Sequence, residues 1–413
     1  MVEYRKEILD SGLTVLTHEA SDTPLATVNV LYGVGSRDER PDRTGFAHLF
    51  EHLMFGGTKR VPDFDRVVSS LGGECNAFTN TDYTNYYITL PADSLADALM
   101  LEADRMGGLE LTEKKLHVQQ KVVTEEYEQR YMGQPYGDAW LRLRPLCYKV
   151  HPYRWPTIGA DIRHVSEAGL DDVVAFHRRW YRPENAVLAV VSPLKHDEVM
   201  RMVEGMEWRG ESDGRGPEVG RRMAEPEQRE ARREVVKREV PADAVYLAWH
   251  MCGREAAQRF RACDMVSDLL GNGESSRLYR HLVLERGLLA EADACISGEA
   301  DPGLLVVSGK GSEGVSADEV EEALREEVYG LVSEGPTADE VDKVLNRYEN
   351  TFWFGQYRAA DRALGLCYYT WLGDTDLVNR EPEEYRRLSR DEVWDAAKEV
   401  IRPDGENVLR LER

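Results

Sequence analysis

Between Thr44 and Thr58 of this 413-residue chain, His48 and His52 stand one helical turn apart with Glu51 just before the second. On a helix, side chains at that spacing project from one face, so both imidazoles can bind a single metal ion. Glu51 then lies beside the ion. A third protein ligand would leave one position for water, and a carboxylate hydrogen-bonded to that water can take its proton as the metal lowers its pKa. The implied chemistry is hydrolysis of an amide. The alternative is a helix with two satisfied histidines and a surface acid. Leu49, Phe50, Leu53, Met54 and Phe55 weigh against it, because they make the helix apolar nearly all round and predict its burial. Two histidines and a glutamate on a buried helix must be paired or bound to something.

The elements that position these residues follow from periodicity and turn residues. A hairpin signal at Asp10-Ser-Gly12 and an alternating strand from Ala26 to Gly33 precede the metal helix. A strand near Thr81 to Leu90 comes next, then helices from Ala92 to about Met106 and from about Glu113 to Arg130. Asp171 to Trp180 reads as a helix and Ala186 to Val191 as a buried strand. Residues 210–234 crowd Gly, Pro, Arg and Glu together without an apolar period, which marks an interdomain linker. A chain this long exceeds one ordinary core. The expected organisation is a metal-bearing catalytic domain over 1–209, the linker over 210–234 and a homologous domain without metal over 235–413.

Homology between the halves is visible within the chain. Asp172-Val-Val-Ala-Phe-His-Arg-Arg-Trp-Tyr-Arg-Pro183, followed by Asn185-Ala-Val-Leu188, returns as Glu392-Val-Trp-Asp-Ala-Ala-Lys-Glu-Val-Ile-Arg-Pro403, followed by Asn407-Val-Leu409. Leu269-Leu-Gly271 corresponds to Met54-Phe-Gly56, and that register puts Cys263, Val266 and Ser267 where His48, Glu51 and His52 stand.

His48-Leu-Phe-Glu-His52 inverts the commoner His-Glu-x-x-His order and has the inverzincin form. With Gly72-Gly-Glu-Cys-Asn-Ala-Phe-Thr79, Thr84, Tyr86, Val122-Val-Thr-Glu-Glu126, Gln134-Pro-Tyr-Gly137, His151-Pro-Tyr-Arg-Trp-Pro156 and Tyr181-Arg-Pro-Glu-Asn-Ala-Val187, the chain resembles the pitrilysin/insulinase family of zinc metallopeptidases. It is similar to the short two-domain form related to mitochondrial processing peptidase subunits. The resemblance implies an α+β fold of two homologous domains, each a mostly antiparallel sheet with helices packed on one face. It implies a Zn²⁺-dependent endopeptidase or oligopeptidase acting on unfolded peptides, with Glu51 as general base and later proton donor to the leaving amine. A non-catalytic assembly or peptide-binding subunit of the same fold is the alternative.

The family's third zinc ligand is a glutamate on a later helix. Glu125 and Glu126 both qualify by distance, and aligning Val-Val-x-x-Glu with the family pattern selects Glu126. Helical spacing agrees, since Glu126 shares a face with Val122 and Val123 while Glu125 stacks over Lys121, although Glu125 also lies three residues from Val122. Many members carry a further acid two turns earlier, beside the ligand set. Here that position is Gln119, which holds a hydrogen bond but no charge.

A protease that accepts varied sequences needs main-chain recognition, and an exposed strand edge supplies it. The resemblance assigns that edge to Asn76-Ala77. Gly72 and Gly73 fit either a place where another backbone approaches or an ordinary turn into a strand. Active members also carry, on the non-metal domain, an arginine and a tyrosine that hold the substrate opposite the zinc. Those places fall on Val283 and Ala290, and neither side chain can donate a hydrogen bond. Arg280 and Arg286 lie nearby in the wrong register. A dimer is therefore expected, with a homologous chain supplying the Arg/Tyr pair, or else a symmetric homodimer.

The formal net charge of −23 argues against nucleic acid as a partner. Spread acids read first as solubility and second as an acidic chamber attractive to basic peptides. No run of 18 apolar residues and no signal-peptide pattern occur, so a cytoplasmic chain without a membrane partner is expected. Cysteines 75, 147, 252, 263, 295 and 367 form no close pair, which disfavours a Cys-type zinc site. His18, His117, His151, His164, His177, His196, His250 and His281 have no ligand-spaced partner and receive no chemistry.

Overall fold

The structure is a computed structural model and describes residues 1–210, 224–298 and 300–413. Of the expected linker 210–234, residues 211–223 lie outside the described residues. In chain order the first half supplies β1 (Arg5–Ile8), β2 (Thr14–Glu19), β3 (Leu25–Tyr32), α1 (Phe46–Leu53), α2 (Phe64–Ser70), β4 (Glu74–Thr79) and β5 (Thr84–Pro91). It continues with α3 (Leu95–Gly108), α4 (Glu113–Tyr127), α5 (Ala139–Cys147), α6 (Arg163–Ser166), α7 (Leu170–Trp180), β6 (Ala186–Ser192) and α8 (His196–Glu204). The second half supplies β7 (Arg232–Lys237), β8 (Ala244–His250), α9 (Ala257–Gly271), β9 (Leu289–Ile296), β10 (Leu304–Gly311) and α10 (Ala317–Glu334). It ends with α11 (Ala338–Gly355), α12 (Ala359–Trp371), α13 (Leu377–Arg386), α14 (Arg390–Val400) and β11 (Asn407–Glu412).

Two sheets result, ordered β1-β2-β6-β3-β5-β4 and β7-β11-β8-β10-β9. Apart from β1 the orders correspond strand for strand. Each sheet has one parallel pair at the same place, β2 with β6 and β7 with β11, and its other pairs are antiparallel. The repeated sequence blocks are α7 leading into β6 and α14 leading into β11. The fold is thus α+β, built twice on one plan.

The compact units are not the two contiguous halves expected from sequence. One unit comprises Met1–Tyr127, Trp155–Arg222 and Trp353–Arg380, and the other Glu128–Arg154, Met223–Phe352 and Glu381–Arg413. The reason is that both faces of each sheet are apolar. In the first unit Val28, Val30, Ile88 and Tyr86 face α1 and α3, while Leu16, Leu31, Val187, Ala189 and Val191 face the other way and pack on Ala363, Leu366 and Cys367 of α12. In the second unit α5 plays the same part, with Ala139, Leu143 and Cys147 against Ala244, Ala248, Leu409 and Leu411. To the helices expected on one face, the structure adds a helix on the other, drawn from the opposite half of the sequence.

That second helix also changes β3. An alternating strand was expected, yet every residue after Leu25 is buried. The polar ones are satisfied: Asn29 and Asn85 donate amide hydrogen bonds to each other at 2.8 and 2.9 Å, and Thr27 bonds Thr89 across the strands at 2.9 Å. Among the described residues no helix is long and apolar enough to cross a membrane.

Candidate metal centre

α1 is short and packs by its apolar side. Phe46, Ala47, Leu49, Phe50 and Leu53 are buried, and His48, Glu51 and His52 form the half-buried face. The Phe50 ring stacks between Phe176 and Tyr181 with centroids at 5.2 and 5.0 Å. Tyr86 on β5 donates its hydroxyl to the Phe50 carbonyl at 3.1 Å, which ties the helix to the sheet beneath it. Behind Tyr86, the guanidinium of Arg105 sits 4.6 Å from the ring centroid and is held by Glu102 through hydrogen bonds of 2.8 and 2.6 Å. Burial pushes the Tyr86 and Tyr181 hydroxyls well above their ordinary range, and the nearby Glu51 carboxylate adds to the effect.

The third candidate ligand comes from α4. Gln120 pins this helix by donating to the carbonyls of Val165 and Ala168 at 2.8 and 2.9 Å, and Leu116 and Val123 bury its inner side. Glu126 is half-buried and Glu125 exposed. The inner face is narrower than the valine pair suggested, because Val122 is 40% exposed.

Glu126 Oε2 lies 3.6 Å from His48 Nε2 and 3.4 Å from His52 Nε2. The two rings stand nearly perpendicular, at 86°, with centroids 4.9 Å apart. One ligand atom from each of the three residues falls within 4.8 Å of the others. Zinc bound at about 2.0–2.1 Å to nitrogen and oxygen in a tetrahedron requires ligand atoms about 3.3–3.5 Å apart. Two imidazole nitrogens and a carboxylate oxygen are also a donor set that zinc accepts. The residues present therefore fit the ion.

The remaining sequence candidates are placed as follows. Gln119 is half-buried on α4, two turns before Glu126. Asn76 and Ala77 lie on β4, the edge strand, opposite Tyr87 and Tyr86 of β5, and α1 packs against both strands. The Asn76 Oδ1 accepts the Ala77 N–H at 2.8 Å. Gly72 and Gly73 take the turn reading. Gly72 has φ +74°, and a Cβ on Gly73 would come 2.9 Å from Leu90 Cβ and 3.0 Å from the Thr89 carbonyl, so its space is filled from within the fold. Val283 packs on the core of the second unit within the π-helical turn Tyr279–Glu285, and Ala290 is exposed on β9. Arg280 pairs with Glu285 and Arg286 with Glu326, both at the surface.

One residue of the site escaped sequence reasoning. Glu39 is buried, and its two carboxylate oxygens accept the N–H groups of Gly45 and Ala47, each at 2.8 Å, at the start of α1. Burial drives its carboxyl pKa well up, against the pull of those donors. No local spacing announces it, since a capping box needs the acid three residues after the cap.

Comparison with known proteins gives a consistent picture. A family described as "Insulinase (Peptidase family M16)" matches residues 14–134, and one described as "Peptidase M16 inactive domain" matches residues 168–348. The zinc protease PqqE of Helicobacter pylori is 33% identical over 341 residues, covering 80% of this chain and 74% of its own. The crystal structure of a protease from Helicobacter pylori superposes with a TM-score of 0.95 at 27% identity, over all of both chains. A peptidase M16 inactive domain from Pseudomonas fluorescens shares the fold with a TM-score of 0.88 at 17% identity, over all of this chain and 98% of its own.

Proposed function

Since the chain belongs to the insulinase family of peptidases, family M16, we propose that it is a zinc-dependent endopeptidase or oligopeptidase of unfolded peptides. The observation that carries this reading is the convergence of His48 Nε2 and His52 Nε2 on Glu126 Oε2, at 3.6 and 3.4 Å, with Glu51 on the same helix face. His48, His52 and Glu126 would hold the ion. When bound, zinc supplies Lewis-acid polarisation of an amide carbonyl and a water acidic enough to lose its proton near neutral pH. Glu51 would act as the base on its carboxylate and afterwards hand the proton to the leaving amine nitrogen. Gln119, two turns before Glu126 on the ligand helix, can hold a hydrogen bond there but brings no charge.

β4 supports a matching mode of substrate binding. It is the open edge of its sheet, so an extended peptide can add as one more strand along Asn76-Ala77, read through its main chain. The Arg/Tyr pair expected opposite the zinc is replaced by Val283 and Ala290, which supports a dimer in which a homologous chain provides those donors. Incubating the purified chain with a peptide mixture, with and without chelator and with zinc restored, tests the activity by mass spectrometry of the products. Zinc-dependent cleavage is expected. Full cleavage in the presence of chelator refutes the reading, and a fully active homodimer indifferent to any homologous chain refutes the heterodimer.

A further inference from the structure

α1 has an unusual start. Its cap residue is Gly45, with φ +88° and no side chain to receive the first N–H groups. Serine or aspartate, the ordinary caps, cannot stand there, because a Cβ at Gly45 would come 2.7 Å from Val165 Cγ2 and 2.8 Å from the Ile158 carbonyl. The N–H groups at the helix start must be met from elsewhere. Glu39 meets them from a separate loop, Oε2 on Gly45 and Oε1 on Ala47. Burying this carboxyl is costly, and the two N–H donors with the positive end of the helix offset part of that cost.

The loop that presents Glu39 is itself fixed. Trp155 donates its indole N–H to the Ser36 carbonyl at 2.8 Å, Arg37 pairs with Asp82, and Gly35 lies so close to the Thr81–Asp82 backbone that a Cβ would stand 2.4 Å from it. An eight-residue helix is not stable alone. Its first turn takes its direction from what holds it, and His48 directly follows Ala47.

Resting on the zinc reading above, we propose that Glu39 is a positioning residue for the metal centre. By holding the Gly45 and Ala47 N–H groups it sets the first turn of α1, and so aims His48 and His52 before the ion arrives. Groups that orient metal ligands from behind typically change affinity roughly 10- to 100-fold when removed.

The test is zinc affinity by competition with a chromophoric chelator, measured on the full chain at a temperature where each apo variant is folded. Glu39→Ala is expected to weaken zinc binding by about 10- to 100-fold. Glu39→Gln is expected to fall between, since its oxygen accepts one N–H while its amide group opposes the other. If Glu39→Ala does not fold, Glu39→Gln decides alone. A merely structural role would lower the apo unfolding temperature and leave the affinity of the folded protein unchanged, and that result in Glu39→Gln overturns the proposal. His48→Ala serves as the control. Tight zinc binding that His48→Ala leaves intact overturns the metal reading itself, and this inference with it.

Discussion

α1 and α9 occupy the same place in their respective units, each leaving the third strand of the common order and leading towards the edge strand, yet they do different things. α1 has eight residues, begins on a remote buried acid, and keeps His48, Glu51 and His52 half-exposed along one side. α9 has fifteen residues and is buried at most positions from Phe260 onward, with Cys263, Val266 and Ser267 inside the core at the corresponding positions. It ends at Gly271, whose missing side chain lets it lie against the backbone of Ala294 on β9. Apart from the extra β1, the sheets beneath the two helices have the same order and pairing. A shared scaffold therefore does not decide where candidate metal ligands gather. The length, burial and capping of one helix do.

The largest expected effect isolates the chemical side of that contrast. Glu51→Gln preserves size and hydrogen bonding on α1 but removes the base, so turnover should fall roughly 10²–10⁴-fold with zinc retained. Normal cleavage by a zinc-loaded Glu51→Gln protein would mean that another group takes the proton. Next in size is the separation of the two neighbouring acids on α4. Glu126→Gln should lose most of the bound zinc, and Glu125→Gln should stay near stoichiometric, because Glu125 is exposed while Glu126 faces both histidines. Metal analysis giving the reverse would move the ligand by one residue.

The proposed site was legible because it is local. His48, Glu51 and His52 declare themselves through one helical turn, and neither packing nor topology is needed to see that they share a face. Glu126 needed the family pattern as well. The supporting valine argument half failed, since a surface helix can expose one of two adjacent valines, as Val122 shows. The internal repeat was legible for a similar reason, since α7–β6 and α14–β11 are contiguous blocks. The division into units was not. Periodicity says that a face of β3 or β8 is apolar, but not which helix covers it, and α12 and α5 come from the far halves of the chain. Glu39 was hidden because its carboxylate caps a helix from a neighbouring loop, outside any local capping pattern.

On the packing side, Gly271→Ala tests how tightly the second unit closes. Its new Cβ would stand 1.9 Å from the Ala294 nitrogen, a backbone atom that cannot swing aside. A loss of about 1–3 kcal/mol is expected from denaturant unfolding, with zinc binding by the first unit unaffected. Unchanged stability would show that α9 and β9 can separate without penalty, and that the close contact does not distinguish the two helices.

A pH-dependent effect of similar size concerns a half-buried acid of α9, next to the residue that replaces His48. Asp264 accepts a hydrogen bond from the Tyr385 hydroxyl at 2.5 Å, and burial pushes its carboxyl up to about 6 from an ordinary value near 3.8. A carboxyl whose pKa is higher folded than unfolded holds more protons in the folded state between those values. Its contribution is therefore complete below about pH 4 and is lost as pH rises through about 6. At roughly 1.4 kcal/mol per pKa unit, the loss is on the order of 2–3 kcal/mol. Asp264→Asn keeps the acceptor for Tyr385 and cannot ionise. Relative to the native chain, the variant should gain stability progressively from pH 4 to pH 7, read as the difference between two urea titrations so that the same-sign contribution of Glu39 cancels. A difference that stays flat across that range would mean that Asp264 ionises as easily in the fold as in the unfolded chain, and that α9 tolerates charge where its counterpart α1 exposes it.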